Sequence, residues 1–172
     1  DHYETCLNMR TMRPSYFMKD IYEGGYEDEE QVEFNHSQRY ARTTKGDMYR
    51  IKEQTQDLLS VLYYARTLDY ESAEPGDSAT FTTFISDSTY EVGVKYMGKT
   101  KIDTKLGTFK CLKLKPLLVV GRLFDSKYDM TLWVSADRNK VPLRVKSGIS
   151  VGRIKAQLTN YENLRYSLKG KQ

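Results

Sequence analysis

The sequence predicts a mainly β protein: an antiparallel curved sheet or open β-barrel with one helix packed on it. Three observations carry that expectation. Apolar and polar residues alternate with a period of two along many short segments, turn-forming residues separate those segments, and a sustained helical stripe occurs once. The 172 residues read as a single domain, 1–172, with enough chain to bury a core without disulfide staples.

The elements follow in chain order. Residues 1–7 read as a strand, and Glu23-Gly24-Gly25-Tyr26 as a hairpin turn. The acidic run 27–30 reads as solvated, because four adjacent acids do not space oxygen ligands around a cation. Residues 57–67 form the helix: Asp57 suits its N-cap, and Leu58, Val61, Leu62 and Ala65 form an apolar stripe at spacings of three and four. Leu58, Leu62 and Ala65 are expected to face the sheet. Glu74-Pro75-Gly76-Asp77 breaks the chain, and Ser86-Asp87-Ser88 is the next turn.

The C-terminal half is a run of strands. In 89–95, Tyr90, Val92 and Val94 share one face; in 141–147, Val141, Leu143 and Val145 do; in 154–159, Ile154, Ala156 and Leu158 do. Each should have one buried and one wet face. Residues 108–115 and 129–136 carry large side chains on both faces, Phe109 and Cys111 against Leu112 and Leu114, then Met130, Leu132 and Val134 against Trp133, so both strands should be covered twice. Segments 89–103 and 108–115 are expected to pair through Lys105-Leu106-Gly107, with Gly107 placed for a positive φ. Asp137-Arg138-Asn139-Lys140 is the last turn.

Composition narrows function. Tyrosine is abundant, 14 against 6 Phe and 1 Trp, and suits half-buried sheet positions. The net charge of +4, from 27 Lys and Arg against 23 Asp and Glu, is modest and spread along the chain. Lysines do gather between 95 and 115, yet no reader motif or Arg–aromatic face accompanies them, so a solvated sheet face is expected and nucleic acid is not a partner. Cys6 and Cys111 read first as small buried hydrophobes and second as a disulfide. The apolar stretches 61–65 and 117–120 are far shorter than the roughly 20 residues of a membrane span. The chain carries no signal peptide or initiating Met, so a preceding segment is expected to have been removed.

No catalytic constellation emerges. His2 and Cys6 fall on one strand face without a third partner, and no G-x-S-x-G, phosphate-cradling loop or paired-Cys metal spacing occurs. Neither a catalytic residue, a metal nor a cofactor is expected.

Several segments together resemble the domain-of-unknown-function family numbered 3108. Residues 57–66 are similar to its "D-x-L-S-x-L-Y-Y-x-R" helix, and 104–111 to its "T-x-x-G-T-F-x-C" hairpin. Residues 132–144 resemble its "W-x-S-x-D…P-x-R" hairpin, and Tyr22-Glu23-Gly24-Gly25-Tyr26 part of its N-terminal half. The resemblance spans nearly the whole chain. It implies a non-enzymatic protein exported to the periplasm or outer envelope of Gram-negative bacteria, with further strands ahead of Asp1. One hairpin is also similar to open-barrel lipoprotein carriers. On this reading the chain binds a lipid-like or glycan-like ligand between sheet and helix, lined by Tyr63, Tyr64 and Trp133. The alternative is a structural or assembly module whose partner is another envelope protein.

Overall fold

Gly24 and Gly25, at φ 56° and 90°, form a two-residue turn that no side chain would strain less. It folds β2 (Arg13–Glu23) back on β3 (Tyr26–Asn35) with Glu23 opposite Tyr26. β1 (His2–Asn8) pairs with the outer side of β2, and β4 (Tyr40–Thr43) and β5 (Met48–Arg50) continue beyond β3. In this computed structural model, which describes residues 1–117, 129–148 and 152–168, these five strands form one antiparallel sheet. β1 lies at its edge, paired on one side only.

A second antiparallel sheet runs in the order β11 (Arg153–Gln157), β10 (Pro142–Gly148), β9 (Thr131–Ser135), β8 (Gly107–Leu117), β7 (Ser88–Thr104), β6 (Ser78–Ile85). Its central hairpin is the expected one. Thr104 stands opposite Gly107, and Gly107 has a φ of 116°, a conformation that favours a residue without Cβ. Both sheets are antiparallel, as the alternation predicts, and open among the described residues.

The chain divides into two compact units, Asp1–Leu68 with Phe81–Val92, and Asp69–Thr80 with Gly93–Gln172. In the first, Phe17, Val32, Phe34, Ala41, Ile51 and Phe84 form the core, with Tyr49, Leu58 and Leu59 packed against it. Lys19 is buried beside it, its ammonium 2.7 Å from Asp28 and 3.2 Å from Glu30. In the second, Ile102, Phe109, Cys111 and Leu143 form a cluster edged by Leu106, Trp133, Leu158 and Leu168. Leu112, Leu114 and Val134 are buried on the opposite face, so β8 and β9 are covered twice as their sequences imply.

Four expectations are corrected. The helix α1 is shorter, Ser60–Ala65. Its inward residue is Ser60, fully buried, and Leu62, turned about 200° further round the axis, points outward and is 59% exposed. Leu58, in the turn before the helix, supplies the apolar contact instead. Leu62→Asp is therefore expected to change stability by less than about 0.5 kcal/mol, measured by thermal melting, as for an ordinary surface substitution. Ile154 and Ala156 are exposed rather than buried, because β11 is the edge strand. In β10 a register shift between Pro142 and Arg144 breaks the alternation, so Leu143 and Val145 do not share a face. Cys6 is exposed; Cys111 is buried, and both thiols are free. The apolar stretch 117–120 lies, apart from Leu117, outside the described residues.

Candidate functional site

The helix start is built from a polar core. Gln56 is bridged to β6, its N–H donating to the Thr82 carbonyl and its carbonyl accepting from Phe84 N–H. Asp57 follows, and its Oδ1 accepts from the N–H groups of Leu59 and Ser60, both at 2.8 Å. Ser60 Oγ returns the bond by accepting from Asp57 N–H. This reciprocal box satisfies donors that a helix start leaves without intrahelical partners. Asp57 Oδ2 accepts from the Thr5 hydroxyl at 2.7 Å, which ties β1 to the same point. The carboxyl is wholly buried, and burial raises its pKa above the ordinary value, against the lowering effect of these donors. Thr55, Gln56 and Thr83 are buried around it.

The tyrosines singled out in the sequence take different roles. Tyr64 stands edge-on to Phe81, ring centres 5.5 Å apart, and helps seat the helix. Tyr63 is 47% exposed with the Arg66 guanidinium over its ring. Both belong to the first unit, and Trp133 to the second. Trp133 is half-buried against the Phe109 cluster, with Lys146 Nζ 5.7 Å from its ring centre.

A different group of residues lines an open cleft of about 290 Å³: Ser15, Tyr16, Glu33, Phe34, Asn35 and Tyr40. Register explains the grouping. Tyr16 lies opposite Glu33 and Asn35 opposite Tyr40, all on the sheet face away from Phe17 and Val32. Asn35 is held by Ser37, Gln38 and Tyr40, its Nδ2 donating to the Tyr40 hydroxyl at 3.4 Å and its Oδ1 accepting from the Ser37 hydroxyl at 2.8 Å. Nearby, His36 stacks on Phe34 and sits between the Pro14 and Glu53 carbonyls at 2.7 and 3.0 Å. The cleft thus offers two tyrosine rings with their hydroxyls and an acceptor carboxylate. Tyr16, Glu33 and Asn35 carry the alternation of exposed strands, but which of them meet depends on pairing that no single segment specifies.

A family model described as "Protein of unknown function (DUF3108)" matches residues 1–159. The chain belongs to this family. Its helix and hairpin motifs map here onto α1 with the Asp57 box, the β7–β8 turn and the β9–β10 turn. No curated protein and no solved structure matches the chain. In this member of DUF3108, His2 and Cys6 share a strand face but lie four residues apart, about 13 Å at 3.3 Å per residue, too far to bond. His2 instead approaches Glu4, at 3.6 Å. Burial pushes the Cys111 thiol up to about 11, which keeps it protonated and inert. Among the described residues no three His, Cys, Asp or Glu side chains come together as a metal site, and no helix is long and apolar enough to cross a membrane.

Proposed function

We propose that this chain is a non-enzymatic binding protein of the bacterial envelope that takes a glycan-like ligand on the Tyr16–Glu33–Asn35–Tyr40 face. The single observation that supports the reading is the chemistry of that cleft. Sugars present C–H faces that stack on aromatic rings, and hydroxyls that both donate and accept. Tyr16 and Tyr40 supply the rings and Glu33 accepts, while Asn35, bonded to Ser37, Gln38 and Tyr40, holds the Tyr40 hydroxyl in place. A lipid chain would ask for an enclosed apolar channel, and this cleft is open and half polar. The envelope setting rests on the export that the family resemblance implies.

The test is calorimetric titration with soluble oligosaccharides, beginning with β-1,4-linked N-acetylglucosamine oligomers. Tyr16→Ala and Glu33→Gln should each weaken binding by about tenfold, the effect of one lost stacking or charged hydrogen-bond contact. Both are surface changes, so melting temperatures should stay near that of the unmodified protein. Binding that is indifferent to both substitutions, or absent for every oligosaccharide, would sink the reading.

A further inference from the structure

Charge is segregated between the two units. The first carries nine basic and fourteen acidic residues, a net −5, and the second eighteen basic and nine acidic, a net +9, with His neutral. The expectation of an evenly spread excess is thus corrected. The +4 of the whole chain is the remainder of two larger, opposite charges.

Register turns these totals into faces. In the second unit Lys95 stands directly opposite Lys115, and Lys146 directly opposite Lys155. Lys113 and Arg144 flank Trp133 from the strands on either side. Strand alternation puts all of these on one face of β7–β11. Asp129 meets Lys115 at 2.6 Å and Gln157 holds Arg144, while Lys146 and Lys155 stand exposed. The first unit presents the reverse. On one face of β1–β3, Asp20 lies opposite Glu29, with Glu4 on the same side and Glu27 opposite the exposed Tyr22.

Like charges directly opposite one another across strands repel, and sheets ordinarily alternate sign at such positions. Here Asp129 already relieves Lys95–Lys115, whereas Lys146–Lys155 and Asp20–Glu29 each keep a like-charged pair. A partner of opposite charge would relieve each of them, and each face has the charge the other needs. Asp20, Glu29, Lys146 and Lys155 are each exposed. We propose that the basic face of β7–β11 docks on the acidic face of β1–β3 of a second copy of this chain, head to tail. Such a contact uses two different patches, so it builds rings or open chains rather than a closed two-fold dimer. It goes beyond the glycan reading and does not depend on it. Asp20 lies four residues along β2 from Tyr16, about 13 Å from the cleft.

Sedimentation velocity over a concentration series at low and high salt tests this, with two variants whose folding is checked by circular dichroism. Lys146→Gln with Lys155→Gln neutralises the basic face, and Asp20→Asn with Glu29→Gln neutralises the acidic one. The unmodified chain should associate at low salt and dissociate at high salt. Each variant alone should associate at least about tenfold more weakly, since close interfacial charge pairs carry that much or more. Mixed in equal amounts, the two variants should recover association but stop at a dimer, because each retains one working face. A chain that is monomeric throughout overturns the proposal. So does association that survives in high salt or in both variants, which is the signature of β1 edge pairing. Salt-sensitive association that the mixture fails to restore overturns it too, as does a monomer that binds anionic phosphatidylglycerol vesicles through the same lysines.

Discussion

Phe109→Ala should destabilise the second unit by about 3–5 kcal/mol, the usual range for removing a fully buried aromatic ring. Phe109 has no exposed surface and packs among Ile102, Cys111 and Leu143. The strand backbones on either side are fixed by the β7–β8 and β8–β9 pairings, so the site has little freedom to collapse onto the space left behind. Trp133, which borders the same cluster and is the sole tryptophan in the sequence, reports the loss directly. Urea unfolding followed by its fluorescence should show a lower midpoint with an unchanged slope. A loss under about 1 kcal/mol would mean that the ring is not the centre of this core.

Asp57→Ala should cost about 2–3 kcal/mol, because it strips the acceptor from two N–H groups at a buried helix start. The Thr5 hydroxyl loses its 2.7 Å bond at the same time and is left with the Tyr16 carbonyl at 3.3 Å. Asp57→Asn should be almost harmless at neutral pH. Its carbonyl oxygen can take both N–H groups, and its amide can donate to Thr5, whose own hydroxyl then turns to the Tyr16 carbonyl 3.3 Å away. The Asn variant and the unmodified protein also separate in their response to acid. Burial raises the pKa of Asp57 in the fold above its unfolded value of 3.8, so the folded protein favours the protonated carboxyl. The group's contribution is therefore greatest below the unfolded pKa. It falls as pH rises from there through the raised folded value, and is level above it. Asparagine lacks this dependence, so its stability relative to the unmodified protein should be highest at neutral pH and decline as acid neutralises Asp57. Thermal melts of both proteins from neutral pH to about pH 3 would check it; parallel curves would mean that the carboxyl is not held in a dry site.

How much of this was legible depended on whether the signal was local. The turns at Gly24-Gly25, at Lys105-Leu106-Gly107 and at residues 137–140 each announce themselves by residue type, and each joins the strands expected of it. Asp57 was legible as an acceptor ahead of the helix, since a short polar side chain before an apolar stripe needs no tertiary information, but the N-cap position itself falls at Leu59, two residues later. The orientation of Leu62 is not legible from the stripe that begins at Leu58, because helical geometry begins only at Ser60 and sets the rotation from there. Ile154 and Ala156 alternate as faithfully as a central strand, and alternation is silent about which strand ends at an edge. The cleft and the charged faces were beyond reach for a third reason. Tyr16 meets Glu33, and Lys146 meets Lys155, only through register, a relation between strands that neither strand encodes alone.

The border between the two units falls three times along the chain, after Leu68, before Phe81 and after Val92. The strands β6 and β7 each begin in one unit and finish in the other. No single break in the coding sequence can release either unit whole, because its segments are interleaved with those of its neighbour. A lineage that inherits one must inherit both, and recombination would shuffle this protein only as an indivisible gene segment. The opposite charges of the two units are therefore encoded as one interleaved stretch.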